Sequence, residues 1–150
     1  MKMKIKPCSE KIGTEFPIPA YATPGSAGLD LRACIDAPII LKAGERVLIP
    51  TGIAIELPNA QTVALVFARS GLAIRHGLGL SNGVGVIDSD YRGEISVGLI
   101  NQGEQDYEIL PGERIAQLVV MPVIQPELEL TETLSDTERG AGGFGSTGTR

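Results

Sequence analysis

Short apolar runs and turn residues alternate along the whole chain. Residues 2–6 (Lys2-Met3-Lys4-Ile5-Lys6) interleave charged and apolar side chains, as an edge strand does. Leu29-Asp30-Leu31-Arg32-Ala33-Cys34 repeats the pattern and puts Leu29, Leu31 and Ala33 on one face. Pro38 to Leu41 and Arg46 to Leu57 read as strands, the second broken at Pro50-Thr51-Gly52. Thr62 to Phe67 is nearly continuous in apolar residues, which suits a strand buried on both faces. Gly93 to Asn101 is a further strand. The turn Pro111-Gly112-Glu113 leads into another buried one, Ile115 to Val120, and Pro122 and Pro126 bracket the exit from the core. The spacing predicts one helix, Ser70 to His76, with Ser70 as N-cap and Gly77 just past its end. A helix of about two turns is held by packing rather than by its own propensity.

Composition sharpens this picture. With 19 Gly and 10 Pro spread over 150 residues, long helices have little room, and 43% hydrophobic residues mark a globular chain. Aromatic residues are 4% and Trp is absent, so the core is built from Ile, Leu, Val and Ala. The expectation is an all-β sandwich or barrel with one short helix, a single domain over 1–150. Residues 1–130 would form the β core. Residues 131–150 would form a mobile arm, because Arg139 to Gly148 holds five glycines in ten positions and little apolar surface to bury.

The formal net charge of -5 argues against non-specific binding of nucleic acid, which needs a basic face. A phosphorylated ligand would need local Arg residues, a helix N-terminus or a metal ion. Cys8 and Cys34 are isolated, which points away from a disulfide framework or a Cys-rich zinc site and towards a reducing compartment. No apolar run reaches membrane-spanning length and the N-terminus lacks the pattern of a signal peptide, so a cytoplasmic location with no membrane partner is expected.

Candidate chemistry concentrates in Gly85-Val86-Ile87-Asp88-Ser89-Asp90-Tyr91-Arg92-Gly93-Glu94-Ile95, a turn between two apolar β-type runs. Asp88 reads either as a general base for water or as the start of an Asx-turn, a role that suits Asp90 better. Tyr91 is either a stacking platform for a sugar or base, or a half-buried turn aromatic. Asn82, before Gly83, is a turn residue or an amide that pairs with a nucleobase edge. Arg69-Ser70-Gly71 at the helix start is an ordinary cap or a phosphate cradle. Strand alternation places Gln117 on the face of Ile115, where its amide needs a partner, in the backbone or in a ligand. The Gly-rich arm is a frayed end, or a lid in which Phe144 covers a flat ring and Arg139 meets a terminal phosphate. His76, the sole histidine, belongs with the helix C-terminus and signals no metal site.

Taken in order, five blocks resemble the motifs of the homotrimeric dUTP pyrophosphatase (dUTPase) family. They are Ala27-Gly28-Leu29-Asp30-Leu31, then Arg69-Ser70-Gly71-Leu72, then Gly85 to Glu94, then Pro111 to Leu118, then Arg139 to Gly148. Ala68 departs from the pattern, since many members carry Pro before the Arg. The resemblance implies a jelly-roll-like fold and a three-fold trimer with active sites shared between subunits. It implies hydrolysis of dUTP to dUMP and pyrophosphate, with Asp88 holding the attacking water. Asn82 and backbone near Val86, Ile87 and Ser96 would read uracil, and Tyr91 would pack under the deoxyribose. Arg69, Ser70, Gly71 and Gln117 would hold phosphates, and Arg139, Phe144, Gly145, Ser146 and Thr147 would close the lid. Mg2+ would ride on the phosphates with Asp30 near it through water. A dCTP deaminase of the same fold is a rival, but the segment Leu72 to Gly83 lacks the Glu that such an enzyme would need. A non-catalytic dUTP-binding regulator is a second rival, against which the bare carboxylate of Asp88 speaks.

Overall fold

The computed structural model describes residues 1–143. Within them lie strands β1 (Lys4–Pro7), β2 (Leu29–Arg32), β3 (Ile39–Leu41), β4 (Arg46–Pro50), β5 (Ile53–Glu56) and β6 (Thr62–Ala68). Helix α1 (Ser70–His76) follows, then β7 (Leu78–Leu80), β8 (Gly85–Ile87), β9 (Ser96–Asn101), β10 (Tyr107–Ile109) and β11 (Arg114–Pro122). The sheets have the orders β2-β11-β6-β8 and β4-β9-β7, with two-stranded pairs β1-β5 and β10-β3, all antiparallel. The all-β expectation holds. Among the described residues no sheet closes on itself, so the packing is that of open sheets face to face rather than a barrel.

One core joins these layers. Leu29 and Leu31 of β2, Ala64 and Val66 of β6, Val97 and Leu99 of β9, and Ile115, Ala116 and Leu118 of β11 all turn into it. At its edge Asn101 is wholly buried and wholly paired. Its Nδ2 donates to the carbonyls of Leu41 (3.0 Å) and Gln105 (2.8 Å), and its Oδ1 accepts from the Gly103 N–H (2.9 Å). A buried amide is tolerated only on such terms.

Two local expectations change. β6 is not buried on both faces: Thr62, Ala64 and Val66 are buried, while Val63, Leu65 and Phe67 stay half-buried on the outer side. Its apolar run therefore serves a core on one side and an apolar surface on the other. Ser70 is the first helical residue of α1 and not its cap. Arg69 takes that position in extended backbone, with no side-chain cap. The C-terminal expectation holds, because Gly77 at φ 72° sends its N–H back to Ala73 and Leu72. A Cβ there would lie 2.4 Å from the Gly103 N, so only glycine lets α1 end against that loop. His76, the last helical residue, packs its ring on Tyr107 with centroids 4.9 Å apart. Residues 123–143 form no helix or strand, and Ile124, Leu128, Leu130 and Leu134 are almost fully exposed.

Candidate functional site

The two runs that flank Asp88 and Tyr91 do not pair with each other. β8 pairs with β6, and β9 pairs with β4 and β7, so the segment 88–95 crosses from one sheet to the other. What reads in sequence as a hairpin turn is a parted seam. A cleft of about 230 Å³ lies in it. Val66, Leu80 and Ile87 form apolar wall, and Asn82, Val86, Asp88, Tyr91 and Ser96 line it with them. The five residues expected at the nucleoside (Asn82, Val86, Ile87, Tyr91 and Ser96) thus meet in one place with Asp88. The main chain matters as much, because β8 is the edge of its sheet and β7 covers β9 only from Leu99 to Asn101. Ser81 N–H reaches Gly98 O (2.8 Å), and beyond it the end of β9 lies beside the cleft with no strand on that side. Two open edges offer N–H and C=O groups to a planar ligand.

The near end of the loop is held without the carboxylates of Asp88 and Asp90. Tyr91 N–H donates to Asp88 O (3.2 Å), and Arg92 Nη1 donates to Ser89 O (2.8 Å) and Tyr91 O (2.9 Å). The structural role expected of Asp90 therefore falls to Arg92. Among the described residues, no side-chain hydrogen bond or ion pair engages the exposed Asp88 carboxylate, which is free to take a water. The Tyr91 hydroxyl donates to Glu94 O (3.1 Å). Glu94 accepts from Gly52 N–H (2.7 Å), and Thr51 Oγ1 donates to Ile95 O (2.6 Å), which anchors the far end of the loop to the β4–β5 corner.

A second cluster gathers elsewhere. Gln117 on β11 stands opposite Asp30 on β2 and Phe67 on β6, and its Nε2 donates to Ala68 O (3.0 Å). Arg69, which follows β6, puts its Nε 3.2 Å from Asp30 Oδ1, and Arg114 Nη1 donates to Asp30 Oδ2 at 3.1 Å. Neither Arg69, Ser70, Gly71 nor Gln117 lines the cleft. Sequence reasoning missed Arg114, because its side of the sheet is set by a bulge that no residue type announces. The same bulge corrects the expected pairing of Gln117 with Ile115. Ile115 and Ala116 are buried in succession, and Gln117 lies on the other side. Among the described residues, Arg139 closes its own turn, donating from Nε to Gly142 O (2.9 Å). Phe144, Gly145, Ser146 and Thr147 lie outside the described residues.

Two further observations bear on the chemistry. Among the described residues no group of three or more His, Cys, Asp or Glu side chains gathers as a metal cage. Both oxygens of Asp30 are already ion-paired with guanidinium groups, so Asp30 does not fit as a principal direct ligand. At the turn before Arg114, Glu113 accepts from the Tyr107 hydroxyl and from Leu110 N–H (3.0 Å). Burial, then this bond to Glu113, pushes the Tyr107 hydroxyl up to about 12. No helix among the described residues is long and apolar enough to cross a membrane.

Comparison with known proteins follows the same lines. A sequence model of the dUTPase family matches residues 14–148. A relative named deoxyuridine 5'-triphosphate nucleotidohydrolase, from Aeromonas salmonicida, is 51% identical over 147 residues, covering 98% of this chain and 97% of its own. One of the same name from Hahella chejuensis is 52% identical over 146 residues, covering 97% and 96%. Among solved structures, that of the Staphylococcus bacteriophage 80alpha dUTPase with dUPNHPP superimposes with a TM-score of 0.86 at 27% identity, over 98% of each chain.

Proposed function

Because this chain belongs to the dUTPase family, we propose that it hydrolyses dUTP to dUMP and pyrophosphate at sites completed by neighbouring copies of itself. The observation that carries this reading is the parted seam between β8 and β9, with an unengaged carboxylate, a tyrosine and two open strand edges around one cleft. The edge of uracil presents acceptor, donor and acceptor in a row, which main-chain groups on opposed strands can match. The apolar wall formed by Val66, Leu80 and Ile87 leaves a tight fit in which an added methyl overlaps protein. Tyr91 packs against the sugar where a 2′-hydroxyl would stand.

Asp88 takes a proton from a bound water. The water oxygen forms a bond to the α-phosphorus as the bond from that phosphorus to the bridging oxygen breaks. Pyrophosphate departs with that oxygen. Arg69, Ser70, Gly71 and Gln117 hold the phosphates. Their distance from the cleft of their own chain supports a trimer, in which one subunit gives the nucleoside half and a neighbour the phosphate half. The exposed Ile124, Leu128, Leu130 and Leu134 supply apolar surface for such contacts. The arm from Arg139 through Phe144 to Thr147 closes a neighbouring site. The donor set fits an ion carried on the triphosphate, with Asp30 near it through water, and not one caged by the chain. Mg2+ so bound would supply positive charge to neutralise the leaving pyrophosphate. The chain's net charge of -5 makes that neutralisation more needed.

This activity keeps uracil out of DNA and supplies dUMP for thymidylate, as work in the cytoplasm. The test is pyrophosphate release from dUTP, dTTP, dCTP and UTP with Mg2+. Release from dUTP alone is expected. Ammonia from dCTP would assign the chain to deamination, and tight dUTP binding without turnover would make it a regulator.

A further inference from the structure

The ladder between β2 and β11 changes register once. Arg114 stands opposite Arg32 and Ala116 opposite Leu31, which leaves Ile115 as an extra residue. The bulge decides a direction. On a regular strand, residues three apart face opposite sides. With one residue inserted, Arg114 and Gln117 come to the same side, as their partners Arg32 and Asp30, two apart on β2, already are. Arg114 can then reach diagonally to Asp30, and its Nη1 lies 3.1 Å from Oδ2. The other oxygen, Oδ1, lies in ion-pair contact with Arg69 Nε at 3.2 Å. A third contact closes the ring: Arg69 Nη1 donates to the backbone carbonyl of Arg114 at 3.2 Å.

We propose that Arg114 is a positioning residue for phosphate binding: it neutralises Asp30 and, through Asp30 and its own carbonyl, aims the Arg69 guanidinium at the triphosphate. The inference rests on the reading of Arg69 as a phosphate ligand. Two guanidinium groups about one carboxylate leave a net positive charge. Without Arg114, Asp30 and Arg69 form a neutral one-to-one pair, and an incoming phosphate must break it. With Arg114 present, the carboxylate has a second cation, and Arg69 is oriented through Nε and one Nη1 hydrogen while most of its N–H donors stay free. The bulge is therefore functional geometry, since a straight β11 would turn Arg114 towards the core.

The experiment measures kcat and KM for dUTP, and competitive inhibition by deoxyuridine, in the wild type, Arg114→Gln and Arg114→Lys. Arg114→Gln is expected to raise KM about tenfold while kcat stays within about twofold and deoxyuridine inhibits as before. Arg114→Lys restores part of the loss. Unchanged KM in Arg114→Gln, or equal weakening of deoxyuridine, overturns the proposal. If Arg114→Gln does not fold, Arg114→Lys decides, with KM raised about threefold expected and unchanged KM overturning. Failure of the wild type to release pyrophosphate from dUTP would instead sink the hydrolytic reading, and binding of a non-hydrolysable dUTP analogue to the same variants would then judge Arg114 separately.

Discussion

Tyr91 lies against Gly93 so closely that a Cβ on Gly93 would stand 2.4 Å from the Tyr91 hydroxyl oxygen and 2.6 Å from its Cζ. The glycine is there for the ring. Gly93→Ala must swing the phenol away and break its bond to Glu94. If the ring guards the 2′ position, Gly93→Ala and Tyr91→Ala both lower the preference for dUTP over UTP by about tenfold or more in kcat/KM. Pyrophosphate release from the two nucleotides measures it. An unchanged ratio in Tyr91→Ala would remove the tyrosine from sugar selection.

Asp88→Asn keeps the size of the side chain and removes its capacity to accept a proton. We expect kcat to fall by about 10²–10⁴-fold, with the affinity for a non-hydrolysable dUTP analogue within about threefold of wild type. Turnover assays and calorimetry give the two quantities. Loss of affinity in proportion to kcat would mean that Asp88 holds substrate rather than water.

Shared sites allow a mixing test. Chains carrying Asp88→Asn keep the phosphate half, and chains carrying Arg69→Ala keep the nucleoside half. Each alone is nearly inactive. Refolded together in equal amounts, they should recover about a quarter of wild-type activity, because random assembly into trimers unites two intact halves that often. Light scattering on the wild type should give three times the chain mass, and Leu128→Asp/Leu130→Asp should reduce it. No recovery on mixing would argue for sites complete within one chain.

Stability at high pH has a defined sign at Tyr107. The folded chain holds the phenol proton up to about 12, against 10.0 for a free tyrosine. The unfolded chain releases that proton first, so the stabilising contribution is whole below pH 10 and is lost as pH rises through about 12. Tyr107→Phe should flatten the fall in denaturant midpoint across that window. A slope identical to wild type would mean that Glu113 does not hold the phenol.

Much of this architecture is legible in the sequence, and the rest is hidden for identifiable reasons. Leu29, Leu31 and Ala33 announce β2 by alternation alone, and Gly77 marks the end of α1 because few residues accept its φ. The break at Pro50-Thr51-Gly52 separates β4 from β5 as expected. Strand partners are another matter. Val86 and Ser96 look like the arms of one hairpin, yet Val86 is matched to Leu65 and Ser96 to Pro50, because long-range ladders outweigh a local turn. The bulge at Ile115 is silent, since a β-branched apolar residue is what an unbroken strand would also carry. The cap of α1 lies one residue before Ser70, because Ser70 has the preferred side chain but Arg69 has the extended backbone. That Arg69 and Gln117 sit away from Asp88 follows from sheet order, which no linear motif encodes.

The parting of β8 from β9 has one more consequence. A base seated there touches two layers whose strands do not pair with each other. The nucleotide would then act as a cross-brace, and amide exchange at Gly85–Ile87 and at Ser96–Gly98 should slow in concert when it binds, although the two segments belong to different ladders. The width available to a base is thus a spacing between two sheets that share a core but no ladder. A substitution deep in either layer, far from any ligand atom, can change which pyrimidines are admitted.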